Sequence, residues 1–420
     1  MTVAAAGGQV ASVSPHPLRF ALLILPFGVS NGFLTVTMAW LLNAAGVPPT
    51  EVAGLIALSY LPHTWKFFWA PVIDLSWRRR YWYVLGGVAC AAGTWAIGAL
   101  PLTAASLPWM GAAVLVTNLA ATVLGMSVES LMAHATPEQA KGRAAGWFQA
   151  GNLGGLGVGG GAGLWMVQSL GLSPAGAAMA LGAACALCAF ALWGLPEPPI
   201  ETAGGAARAG WARAWAVAWA RLRETARDLW AVARSRRGAL AILICFLPIG
   251  SGAAGNLWSV AAGSWQASAN TVALVSGTLG GVVSAFGCLA GGFICDRLNR
   301  QRAYCLFGVV MVTVALSMAF TPRSEASFVL HALLYAFTQG LTYAGFSAVV
   351  LEAIGKGAAA TKYNLLASLS NMPIAWVTLV DGWAFEHHGP PALLLADAAT
   401  GVAGLLVFGL VAAGVSRRRG

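Results

Sequence analysis

Leu25-Pro26-Phe27-Gly28 and Leu247-Pro248-Ile249-Gly250 stand 222 positions apart, and at the same offset Asp74 pairs with Asp296, Arg78 with Arg300, and Arg80 with Arg302. One shared tetrapeptide means little in 420 residues. The same offset at two separated places means duplication, so the chain reads as two similar halves.

Composition says what surrounds those halves. The chain is 58% hydrophobic and 9% charged, whereas soluble domains carry about 25% charged residues. No soluble fold of this length covers so much apolar side chain, and a lipid-facing surface removes the need to. A spanning helix needs about 20 mostly apolar residues. Pro, Gly and charge punctuate the chain into spans at 18–44, 50–74, 82–101, 108–134, 143–170, 174–195, 239–264, 270–296, 302–321, 325–353, 361–387 and 391–414. The expected fold is therefore all-α and polytopic: twelve transmembrane helices in two pseudo-symmetric six-helix bundles, 18–195 and 239–414. A tail (1–17), a linker (196–238) and a basic tail (415–420) complete the chain.

An even number of spans puts both termini on one side. That side holds 22 of the 24 Lys and Arg: Arg19, Arg78 to Arg80, Lys141, Arg143, the eight Arg between 208 and 237, Arg297, Arg300, Arg302, Lys356, Lys362, and Arg417 to Arg419. Arg323 lies opposite and Lys66 lies within a span. Basic loops stay in the cytoplasm, so both termini are expected there, in a bacterial inner membrane. This distribution accounts for the net charge of +10 without a nucleic-acid partner. The N-terminus has no basic n-region and does not read as a cleaved signal peptide.

In the linker, Trp211, Trp215, Trp219, Leu222, Leu229 and Trp230 share one helical face, with Arg213, Arg221, Arg223 and Arg227 largely off it. Trp with Arg suits the lipid headgroup zone, either as a passive linker or as a lipid sensor. Seven Cys fall mostly in apolar runs. Cys185 and Cys188 form a lone CxxC with no nearby His, so they read as small buried hydrophobes and not as a metal site. No cofactor is expected.

Two parallel six-helix halves around a central site resemble the major facilitator superfamily of transporters. The loop after span eight is similar to that family's cytoplasmic signature: Gly291-Gly292-Phe293-Ile294-Cys295-Asp296-Arg297, then Arg300 and Arg302. The first copy, ending at Asp74 and Arg78, has no Gly pair. A carboxylate at a helix end can meet an Arg and the positive end of a neighbouring helix. Asp74, Arg78, Asp296 and Arg300 are thus gating candidates; the alternative is a plain helix stop. A narrower resemblance lies in span two, where Lys66-Phe67-Phe68-Trp69-Ala70-Pro71-Val72-Ile73-Asp74 looks like the K-F-x-W-A-P-x-x-D segment of AmpG-type muropeptide permeases. That group also includes acetyl-coenzyme A transporters and some siderophore importers. Gly142 to Gln149 and Tyr363 to Ser370 are similar to the same group. The resemblance implies proton symport of a small solute into the cytoplasm.

Charges within the membrane are costly and default to functional hypotheses. Asn118, Thr122, Gly125 and Glu129 form one stripe of span four, a cavity-lining helix in the resembled fold. Glu129 is the first candidate for proton coupling, against a structural ion pair. Asp381, on a face with Asn371 and Thr378, is the second, placed near the outer end and open to solvation. Asp397 has no evident partner. Lys66, with Ser59 and His63 on its face, either binds an anionic solute group or pairs with a carboxylate. Span ten carries His331, Tyr335, Gln339, Thr342 and Tyr343. Tyr335, Gln339 and Tyr343 join Asn31, Asn118, Asn256 and Lys66 as solute-binding candidates, against helix–helix hydrogen bonding. Glu352 closes span ten beside Lys356. Gly151, Gly155, Gly159 and Gly163 in span five and Gly277, Gly281 and Ala285 in span eight are small-residue rows that allow backbone contact, between the halves if the two spans meet.

No Walker motif or HExxH is present, so neither ATP hydrolysis nor a membrane-embedded enzyme is expected. The expected partners are a small-molecule substrate, protons and membrane lipid, with the protein acting as a monomer. The absence of intramembrane Arg disfavours coenzyme A among the solutes.

Overall fold

A computed structural model describes residues 15–69, 73, 77–136, 141–197, 234–295, 297–354 and 365–417, with positions 216, 219, 220, 223, 227 and 230 of the linker. Asp74, Asp296, Lys356, the Glu352 side chain and most of the proposed linker helix lie outside the described residues.

The described residues make twelve helical passages. They are α1 (Leu18–Ala44), α2 (Pro49–Trp65, ending in the tight turn Lys66–Phe68), α3 (Arg79–Ala99), α4 (Leu107–Ala135) and α5 (Lys141–Gly157, continuing to Gln168). Next come α6 (Pro174–Leu192), α7 (Arg236–Phe246 and, after a break, Trp258–Ala261) and α8 (Ala269–Cys295). The last are α9 (Arg300–Phe320), α10 (Glu325–Ile354), α11 (Asn371–His388) and α12 (Pro390–Arg417). Short polar caps start several of them. Ser173, Ser235 and Ser268 accept from the backbone N–H of Gly176, Gly238 and Thr271, and Asn299 accepts from that of Arg302, satisfying donors that a helix start leaves open. Gly389, at φ 80°, turns α11 into α12. Eight passages are long and apolar enough to cross a membrane by length and composition alone; α2, α5, α7 and α11 are the polar, Gly-rich or interrupted ones.

The expected continuous span 239–264 is broken. In α1, Pro26 sits inside an unbroken helix. In α7, Pro248 is followed by Gly250 at φ 62° and Gly252 at φ 72°, both left-handed. The first copy reads Gly28-Val29-Ser30 where the second reads Gly250-Ser251-Gly252. The extra Gly lowers helical stability just where Pro has removed an N–H. The freed Ile249 carbonyl accepts from the Tyr304 hydroxyl at 2.6 Å.

Within the first six helices, α1 lies on α5, α3 on α4 and α6, and α2 on α4; within the last six, α10 lies on α8 and α9, and α12 on α9 and α11. Two seams join the sets, α2 with α11 and α5 with α8. The every-fourth Gly row of α5 faces α1, not α8: Cβ atoms on Gly151, Gly155 and Gly159 would collide with the α1 backbone at Ala21, Leu25 and Val29. The row that faces α8 is Gly157 and Gly161, two residues off and so on another side of the helix. A Cβ on Gly277 would lie 2.7 Å from the Gly161 Cα. Three π-helical stretches, Phe33–Met38, Val158–Ala162 and Ala273–Leu279, occur where α1, α5 and α8 converge. Thr37 Oγ1 donates to the widened turn at Gly159 O and Gly160 O.

The core is asymmetric along the bundle axis. At the end away from the basic residues one core joins both sets, with Phe33, Met38 and Ile56 packed together with Trp258, Trp265 and Phe328. At the basic end the first six helices have their own core around Phe20 and Leu131, and the last six have theirs around Ile244, Tyr304 and Phe307. Inter-set hydrogen bonds follow the same division: Asn43 Nδ2 to Val260 O, Ser259 Oγ to Thr35 O, and Thr50 N–H to Glu386 Oε2. Among the described residues, the two sets share one core at the end away from the basic residues and keep separate cores at the basic end.

Candidate functional site

The first wall of the site is the contact between α2 and α4. The last turn of α2 tightens at Lys66–Phe68, and a spacing of three then stacks side chains on one face. His63, Lys66 and Trp69 hold that spacing, and all three meet the polar stripe of α4. His63 Nε2 lies 3.1 Å from Asn118 Oδ1, and Trp69 Nε1 donates to Thr122 Oγ1 at 3.2 Å. Lys66 Nζ pairs with Glu129 Oε1 at 3.4 Å, with the side chains 18% and 24% exposed. Of the two alternatives for Lys66, the structure shows the carboxylate pair, with both charges partly exposed. Asn118 is buried and engaged by His63.

A second polar wall, in the last six helices, is α10 against the break in α7. Tyr343 is 47% exposed and lines a cavity with Ser251, Thr342, Tyr304 and Ser370. Gln339, one turn away, packs its amide on Gly252, where a Cβ would come within 2.5 Å of Nε2. Asn256 bridges the halves: it accepts from the Tyr60 hydroxyl at 3.1 Å and donates to Thr378 Oγ1 at 3.1 Å. Asn31 on α1 keeps a buried carbonyl oxygen without a protein partner.

Two expectations change. Tyr335 is 1% exposed and donates its hydroxyl to Asp397 Oδ2 at 2.9 Å. It therefore does not face the cavity in this conformation. Trp258 packs edge-on against its ring. Asp381 is 0% exposed rather than solvated, because α11 is pressed on α2, and neither of its oxygens has a hydrogen-bond partner. His331 is likewise buried, between Ser317 and the Ser327 carbonyl.

At the basic end, Arg78 and Arg80 both reach Glu197, at 3.8 and 3.0 Å, and the Arg80 N–H donates to the same carboxylate. This staples the start of α3 to the end of α6 within the first six helices. Arg300 opens α9; the Asp partners proposed for Arg78 and Arg300 lie outside the described residues. Sequence reasoning passed over Tyr60, Glu197 and the Asp397–Tyr335 pair. An Asp within an apolar helix was signal enough for Asp397; the other two show only in three dimensions.

Two six-helix sets joined at two seams, with polar side chains clustered on each set, define a transporter fold. The chain belongs to the Major Facilitator Superfamily, whose profile matches residues 20–378, and its members are transporters rather than enzymes. It is 24% identical over 416 residues to the anhydromuropeptide permease of Escherichia coli (strain K12), covering 95% of this chain and 81% of that one. The fold is similar to a D-xylose–proton symporter (TM-score 0.71, 13% identity, 93% and 96% of the two chains). It is also similar to the inward-open xylose transporter XylE from E. coli (TM-score 0.66, 14% identity, 93% and 94%).

Proposed function

We propose that this transporter imports an anhydromuropeptide, a small polar sugar-peptide, together with protons across a bacterial inner membrane. The supporting observation is a polar wall on each six-helix set. One wall offers a Lys–Glu pair and an imidazole, suited to a peptide's carboxylate and ammonium. The other offers the Gln339 amide and Tyr343 hydroxyl, suited to sugar hydroxyls and amides. The likeness to the E. coli permease along 95% of the chain favours the same solute class over an acetyl-coenzyme A or siderophore cargo, and no Arg lines the described cavity to meet a nucleotide diphosphate.

In this reading the basic end and both termini are cytoplasmic, so the conformation faces inward. The halves 18–195 and 239–414 rock about the α2–α11 and α5–α8 seams, in a monomer. Lys66, Asn31, Asn118, Asn256, Gln339 and Tyr343 contact the solute, Tyr335 only in another conformation. Asp74 with Arg78 and Asp296 with Arg300 steady the cytoplasmic end. Glu129 and Asp381 are the proton-coupling carboxylates.

The test is uptake of labelled anhydromuropeptide into permease-deficient cells expressing the protein, with and without a protonophore, beside Glu129→Gln. The reading expects protonophore-sensitive uptake that the variant loses. No uptake by inserted protein removes the muropeptide, and a siderophore is the next solute to try.

A further inference from the structure

The sealed outer end encloses an acidic cluster that the solute cavity does not use. Asp381 of α11 lies about two turns from the outer end of its helix and is fully buried. Its neighbour in the electrostatic sense is Asp397 of α12. The two carboxylates are built differently. Asp397 accepts from the Tyr335 hydroxyl, and the Ala254 backbone amide points to it; such donors support a charged carboxylate. Asp381 has no donor on either oxygen. Burying a carboxylate charge with no donor and no cation beside it is unfavourable.

Among the described residues, nothing packed around Asp381 supplies a compensating cation. On α11 itself, Glu386 is taken up by Thr50 at the surface, and His387 and His388 are exposed beside Trp383. From α2 come Glu51 at the outer surface, Tyr60 turned to Asn256, His63 turned to Asn118, and Lys66 held by Glu129. From α10 come Tyr335 and His331, both ring nitrogens of the latter engaged. From α12 comes Asp397, with Arg417 at the far end, and α7 contributes no titratable side chain between Ala253 and Trp265.

Asp381 also sits on the moving seam. A Cβ on the adjacent Gly382 would collide with Ala53 of α2, so opening the outer end pulls α11 from α2 and wets this helix face. We propose that Asp381, backed by the Tyr335–Asp397 pair, takes up the coupling proton from the outer side, and that only its protonated form lets the outer gate close. The carboxylate plus one proton gives the neutral acid, which fits the donor-free site. The bonded string Tyr60–Asn256–Thr378 crosses the α2–α11 seam and ends one turn from Asp381.

This deepens the proton-coupled reading above and rests on it, but its test needs no solute. Spin labels on Ala45→Cys and His388→Cys, in full-length protein with the native cysteines replaced and set in lipid nanodiscs, report the outer-gate separation as a function of pH. The wild-type separation is expected to grow as pH rises. Asp381→Asn is expected to stay closed at every pH, and Asp397→Asn to keep the response with its midpoint moved to lower pH. A wild-type gate indifferent to pH, or an Asp381→Asn gate that still opens with pH, overturns the proposal. So does closure that follows Na+ against choline at fixed pH. If the gate responds as expected while muropeptide uptake fails, the solute assignment falls and the proton site stands.

Discussion

Breaking the Lys66–Glu129 pair one side at a time, and then together, measures what holds the first wall of the cavity. At 3.4 Å, Coulomb's law gives about 5 kcal/mol at an effective dielectric of 20 and about 1 kcal/mol in bulk water. With side chains 18% and 24% exposed the coupling falls between, at about 2 kcal/mol, or about 30-fold in an equilibrium constant. Lys66→Met leaves Glu129 facing an apolar turn and costs more than Lys66→Met with Glu129→Gln, since the lone charge is worse than the neutral pair. Reversible unfolding in mixed detergent micelles, run on wild type, both single variants and the double, yields the interaction energy as a cycle. A coupling below about 0.5 kcal/mol, the level at which independent sites already add, would refute the pairing and leave Lys66 free for an anionic solute.

Other perturbations follow from the same geometry. Gly250→Ala forces a Cβ into the left-handed region, about 1–2 kcal/mol, and onto the Thr342 side chain; adding Thr342→Ser should recover the steric part alone, read in the same unfolding assay. Gly277→Leu places a branched side chain where the Gly161 Cα lies 2.7 Å from a Cβ, so the α5–α8 seam opens; transport is expected to fall at least tenfold with insertion intact. Tyr60→Phe removes one bond of the outer closure, about 1 kcal/mol, and should raise thiol labelling of a cysteine at Ala261, buried in that closure, several-fold.

The layout was legible because lipid makes the rule simple: apolar length gives passages, and the 222-residue offset gives the duplication. Charge inside the membrane pointed to Lys66, Glu129 and Asp381, since few residues are costly there. Their partners were not legible, because a partner comes from another helix. Glu129 lies 63 residues from Lys66, and Tyr335 lies 62 from Asp397. The break in α7 was written in Pro248, Gly250 and Gly252, yet the same Pro in α1 leaves the helix whole, so the decision rests on a second glycine and on Tyr304 receiving the freed carbonyl. The Gly row of α5 is legible as a close-packing row, but which helix it meets is not. Two rows share that helix, and only packing shows that α1 takes one and α8 the other.

The most direct test of proton-coupled solute transport is proton movement driven by the solute alone. Purified protein is placed in liposomes enclosing a pH-sensitive dye, and anhydromuropeptide is added outside with no imposed gradient. The account predicts that the lumen acidifies in step with solute entry, and that Glu129→Gln and Asp381→Asn each abolish the acidification. Solute entry with no change in luminal pH would contradict it.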